Sequence, residues 1–133
     1  MKIGIEVCNV KNQAEVKKIL DAWKFDYRIG SVHFLWGWGF DAEKIKSEWN
    51  NHSLKEIYAE YTAEIERLCA SGNYDIIGHP FNLRLFKNFP DFDTTKFYER
   101  AAAAMKNLIL SLMSTLGQNI AILSKKFRPV RTL

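Results

Sequence analysis

The sequence predicts an α/β fold of parallel strands with outer helices. Three observations carry that prediction. Short β-prone runs recur at Gly4-Ile5-Glu6-Val7, at Asp26 to Leu35 and at Asp75-Ile76-Ile77-Gly78. A helix-prone segment separates each run from the next. Each run also delivers one potential metal ligand at or near its downstream end, namely Glu6, His33 and His79. Strand, helix and strand within about thirty residues make a βαβ unit, whose right-handed crossover leaves its two strands parallel. A chain of 133 residues is a single domain on size, 1–133, large enough to bury its own core.

The first run alternates, with Ile3, Ile5 and Val7 on one face and Gly4, Glu6 and Cys8 on the other. Asn12 followed by Glu15 reads as a helix start, and Val16, Ile19, Leu20 and Trp23 as the buried stripe behind it. The second run sets Ile29, Ser31 and His33 on one face and Arg28, Gly30 and Val32 on the other. Next comes Trp36-Gly37-Trp38-Gly39-Phe40-Asp41, where glycines permit tight turns and tryptophans are costly to leave in water. Such a loop either folds over the mouth of a site or plugs the core, and composition leaves both open. Asp41 to Trp49 reads as a short helix.

Ser53-Leu54-Lys55-Glu56 is a capping box opening a longer helix, with Leu54, Ile57, Tyr58, Tyr61, Ile65 and Leu68 inward and Gly72 as its stop. Tyr74 to Gly78 is the third strand, apolar enough to be covered on both sides. A turn-rich loop, Asn88 to Asp93, precedes a helix capped by Asp93 or Thr94 and running through Ala101 to Ala104. Asn107 to Ser124 holds no charge and is followed by Lys125-Lys126. Its polar residues Ser111, Ser114, Gln118 and Asn119 argue against a membrane span, so a buried helix and a short strand, Asn119 to Leu123, are expected.

Composition excludes several classes. Hydrophobic residues at 47% and aromatics at 14% describe a globular chain. The net charge of +4 is a tail feature: without Lys125, Lys126, Arg128 and Arg131 the remaining basic residues balance the 15 acidic ones. A nucleic-acid-binding body is therefore not expected. Two cysteines, Cys8 and Cys69, make no disulfide framework, and the opening residues lack a secretory apolar run, which predicts a cytoplasmic setting.

Side chains at the carboxyl ends of parallel strands are where chemistry collects in β/α layer proteins. Two imidazoles and a carboxylate there suit zinc, manganese or iron, with an open position for catalysis. Taken singly, each has a plainer reading: Glu6 a half-exposed strand carboxylate, His33 a hydrogen-bonded core histidine, His79 a strand end before Pro80. Spacing alone leaves both readings standing, since no His-x-His pair is present. His52, in a polar stretch, reads as solvated.

Gly4-Ile5-Glu6-Val7, Phe25 to Leu35 with Ser31-Val32-His33, and Tyr74 to Pro80 with Gly78-His79-Pro80 resemble the PHP (polymerase and histidinol phosphatase) family in its histidinol-phosphatase branch. The resemblance covers roughly residues 1–106 and leaves 107–133 as a divergent tail. It implies a distorted (β/α)7 barrel, a cluster of up to three metals and hydrolysis of L-histidinol phosphate in histidine biosynthesis. Within it Glu6 would bridge two metals, His33 and His79 would complete the shell of one of them, and Ser31 and Arg84 would contact phosphate. The departures are definite: the family's opening His-x-His and closing Asp-x-His blocks are missing, and Phe81 stands where an acidic residue often follows Gly-His-Pro. The resemblance therefore implies a partial, truncated barrel holding one divalent cation, not a full trinuclear cluster, with impaired turnover of a small phosphorylated substrate. The alternative is a non-catalytic remnant whose open barrel edges are covered by a second copy or a complementing chain.

Overall fold

A computed structural model describes residues 1–115. Its elements follow in the order β1 (Gly4–Cys8), α1 (Gln13–Asp21), β2 (Tyr27–Ser31), β3 (Phe34–Leu35), β4 (Trp38–Gly39), a 3₁₀ helix (Glu43–Asn51), α2 (Leu54–Ala70), β5 (Ile76–Ile77), a second 3₁₀ turn (Asn82–Arg84) and α3 (Thr95–Thr115). The fold is α/β, with one parallel sheet in the order β1-β2-β5 and a small antiparallel pair, β3-β4. Glu6 stands opposite Ile29, Cys8 opposite Ser31, and Gly30 opposite Ile77. Three parallel strands are present among the described residues; a closed barrel is not seen in them.

Local chemistry explains the elements. Asn12 accepts the backbone N–H of Glu15 at 3.2 Å and donates to its carboxylate at 3.3 Å, so the start of α1 is capped as its sequence predicts. Ser53 and Glu56 form the full reciprocal capping box of α2. Gly72, just past α2, takes φ +68°, the left-handed conformation that ends a helix cheaply. Asp93 accepts the backbone N–H of Thr95 at 2.9 Å, and α3 then runs without a break through the alanine segment to Thr115.

Helix α2 is the centre of the core. It lies against α3 and touches β2, β3 and β5. Its Ile57, Tyr58, Tyr61, Ile65 and Leu68 are all fully buried. Each such side chain is worth about 1.5–3 kcal/mol of transfer free energy. The tryptophan loop divides its labour. Phe40 is buried edge-on to Tyr61 at 5.7 Å, and Trp49 donates its indole N–H to the Phe40 carbonyl at 3.0 Å. Trp36 instead stays exposed and stacks on the equally exposed His52, their rings 4.1 Å apart.

Three expectations need correction. Val16 and Leu20 are buried on α1, but Ile19 and Trp23 are 58% and 68% exposed. The helix ends at Asp21, so helical spacing no longer governs Trp23, and α1 has only the sheet's edge to cover. The third strand is an edge strand of two residues, with Ile76 half exposed instead of covered on both sides. The segment Asp41 to Trp49 is a 3₁₀ helix displaced to Glu43–Asn51. The expected strand Asn119 to Leu123 lies outside the described residues, as does the second half of the uncharged stretch, 116–124. Among the described residues no helix is long and apolar enough to cross a membrane.

Candidate metal centre

Glu6, His33 and His79 come together at the carboxyl end of the parallel sheet. Each offers one ligand atom, and these atoms lie within 4.8 Å of one another. Glu6 projects from the middle of β1. His33 lies just past the end of β2, and His79 just past β5 at the unusual φ of +26°. Parallel alignment is what makes the three coincide: neighbouring strands that run the same way finish on the same rim.

His79 Nε2 stands 3.1 Å from Glu6 Oε1 and 3.1 Å from His33 Nε2, while His33 Nε2 is 3.8 Å from the same oxygen. Ligand atoms about 2.1 Å from a tetrahedral cation stand about 3.4 Å apart, and the observed separations bracket that value. An imidazole carries at most one N–H when neutral, so two ring nitrogens and a carboxylate oxygen at such spacing hold more lone pairs than protons. A divalent cation satisfies that excess, and the residues present fit one. The side chains remain 24–46% exposed, which leaves the site open to solutes.

The surroundings tune these atoms. Ser31, fully buried, donates its hydroxyl to Glu6 Oε1 at 2.7 Å. That bond is the largest influence holding the Glu6 carboxyl below its ordinary pKa; slight burial opposes it, and His79 and His33 reinforce it. A Cβ on Gly78 would fall 2.2 Å from the Ser31 hydroxyl, so the glycine before His79 keeps that hydroxyl in place. Cys8 Sγ lies 3.2 Å from His33 Nδ1, and burial first, then the charges of Asp41 and Glu6, push its thiol up. The His33 tautomer with its proton on Nδ1, facing that sulfur, would present a free Nε2 lone pair to the cluster.

Asn9, next after Cys8, is buried; its Oδ1 accepts the backbone N–H groups of His33 and Phe34, each at 3.0 Å. Asp41 reaches within 3.9 Å of His33 Nε2. Arg84 lies on the second 3₁₀ turn with its guanidinium on the Tyr98 hydroxyl at 2.9 Å. A cavity of about 450 Å³ is lined by Cys8, Asn9, Phe34, Trp36, Glu60 and Glu64 among others, and by none of Glu6, His33 and His79.

Sequence reasoning found all three clustered side chains and missed two neighbours. Strand alternation already placed Cys8 on the face of Glu6. Nothing local distinguishes Asn9, whose bonds reach 24 and 25 residues along the chain. Asp41 arrives through the β3-β4 hairpin, which the glycines of the tryptophan loop permit but do not announce.

No family model matches the chain. A curated protein of Deinococcus radiodurans, described as a probable histidinol-phosphatase, is 40% identical over 83 residues, covering 62% of this chain and 31% of that protein. Over that stretch the chain is similar to a histidinol phosphatase. It spans about a third of the length of that relative.

Proposed function

We propose that this chain carries part of a PHP-type, metal-dependent phosphomonoester hydrolase acting on L-histidinol phosphate to give L-histidinol. The observation that carries the reading is the convergence of Glu6, His33 and His79 ligand atoms within 4.8 Å. The similarity to a probable histidinol-phosphatase supports the substrate class. A bound divalent cation of the zinc, manganese or iron kind would polarise a phosphoryl oxygen and supply hydroxide near neutral pH.

The chain's own residues do the rest. Glu6 is held as a carboxylate by the Ser31 hydroxyl. His33 and His79 present ring nitrogens toward one point, the first oriented through Cys8. Asp41 adds a second carboxylate 3.9 Å from His33 Nε2. Arg84 belongs to the reading as a phosphate contact that must release Tyr98 to act, whereas Ser31 serves the carboxylate. One cation in place of three would leave turnover slow, because part of the charge stabilisation around phosphate is missing.

The test is bound metal by mass spectrometry together with phosphate release from L-histidinol phosphate. Near-stoichiometric metal in the purified chain, lost in His33→Ala, is the expected result. Metal below a tenth of stoichiometry in both would end the reading.

A second reading, an interaction module assembling through open sheet edges, is favoured by one observation. Both β1 and β5 are edge strands with half-exposed Ile3 and Ile76 beside them. Sedimentation or size-exclusion chromatography separates the two: a monomer whose stability rises with added metal counts for the hydrolase and against the module.

A further inference from the structure

We propose that Asn9 is a positioning residue that fixes His33 on the ligand rim, and that the buried carboxylate of Glu64 on α2 holds Asn9 in place. Beyond Ser31 the parallel sheet's hydrogen-bond ladder has ended, and Phe34 has a strand neighbour on one side alone, opposite Gly39 in the β3-β4 pair. Asn9 supplies further contacts from a side chain. Its Oδ1 accepts both N–H groups at 3.0 Å, and its Nδ2 donates to the Phe34 carbonyl at 2.6 Å. The remaining Nδ2 proton goes to Glu64 Oε2 at 2.7 Å, and Arg67 pairs with that same oxygen.

Asn9 and Glu64 are 6% and 7% exposed, so water competes little for these bonds. An amide side chain has two donor protons and one acceptor oxygen, and all of them are engaged here. Only an amide can do this: a carboxylate at the position would lose both donors and face Glu64 as a like charge. A residue clamped at two consecutive backbone amides cannot shift along or twist about the chain. The His33 imidazole is thereby delivered from a fixed Cα, although His33 lies outside any strand. The chain Arg67, Glu64, Asn9, His33 also ties the helical core to the rim.

The inference rests on the metal-site reading for its consequence, but the clamp itself is measurable without metal. Hydrogen exchange read by NMR should show slow His33 and Phe34 amides in the wild type and at least tenfold faster exchange at both in Asn9→Ala. Exchange in α2 should stay unchanged. Cobalt titration followed by its visible absorption should then show binding weakened about 10- to 100-fold in Asn9→Ala, with an altered spectrum. Should Asn9→Ala fail to fold, Asn9→Asp tests the anchoring by Glu64 instead, because it keeps an acceptor for the two N–H groups but loses both donors and sets a carboxylate against Glu64, so faster exchange at His33 and Phe34 is expected from displacement of the side chain. Adding Glu64→Gln to Asn9→Asp restores a donor to the broken bond, and recovery of slow exchange and of cobalt affinity is expected. Unchanged exchange at His33 and Phe34 in Asn9→Ala overturns the clamp. Faster exchange with cobalt affinity within twofold of wild type overturns its role at the rim. A wild type that binds no cobalt sinks the metal reading instead, leaving the exchange result to decide the clamp.

Discussion

Helix α2 and the rim at the end of the parallel sheet are built on opposite principles. The helix is regular and capped at its start by a complete box, and its inner side chains are fully buried against α3 and the sheet. The rim is irregular and half exposed. Trp36, His79 and Phe81 have φ of +51°, +26° and +62°, conformations that cost a non-glycine residue of order 1–3 kcal/mol. Strain of that size persists only where the surroundings fix it, and here the surroundings are the helix. Tyr61 shows how: its hydroxyl accepts the Phe81 N–H at 3.0 Å and reaches the His79 carbonyl at 3.5 Å. Burial pushes that phenol up to about 12, so it stays protonated and can donate throughout the ordinary pH range. The stable region holds the rim in a shape it would not adopt alone.

Breaking the helix side should give the largest effect. Leu68→Ala, at a fully buried position, should cost about 2–5 kcal/mol in urea unfolding, while whatever protein remains folded keeps its metal affinity. A comparable stability loss accompanied by specific loss of metal binding would mean that the two regions are not separable.

Tyr61→Phe tests the link between them. Removing the hydroxyl leaves the Phe81 N–H without its partner, at about 1–3 kcal/mol, and should also loosen His79. Metal affinity and stability should therefore fall together, in contrast to Leu68→Ala. Smaller still is the cap: Ser53→Ala should cost about 1 kcal/mol, measured by thermal unfolding, with no change at the rim.

The smallest effect is confined to acid. The Glu6 carboxyl is held below its ordinary value in the folded chain, so it contributes stability above the unfolded pKa near 4.5 and loses it as pH falls through the lower folded value. In metal-free protein, Glu6→Gln should flatten the acid side of the stability curve below that point and leave neutral pH almost unaltered. An unchanged slope between wild type and variant would show that the Ser31 bond does not favour the ionised form.

Much of the α2 region was legible in the sequence. Ser53 and Glu56 are a local signal three residues apart, and the 3.6-residue spacing of Ile57, Tyr61, Ile65 and Leu68 is a property of the helix itself. The rim was legible only in its membership. Glu6, His33 and His79 could be named because each lies at or near the downstream end of a β-prone run, but the ends of α1 and of the third strand were misplaced. Trp23 fell outside its helix and Ile76 onto an open edge, since burial depends on which neighbours are present and not on a residue's own period.

The order of strand, helix and strand, the helix caps and the three positions that meet at the rim are therefore set by the sequence alone, because each arises from interactions within a few residues. The distances among those ligands, the Ser31 bond that keeps Glu6 charged, the Asn9 clamp on His33 and the approach of Asp41 were decided only by tertiary structure. Apart from Asp41, which stands eight residues from His33, these contacts join residues 24 to 73 positions apart, and contacts of that span exist only once the parallel strands have been brought into register.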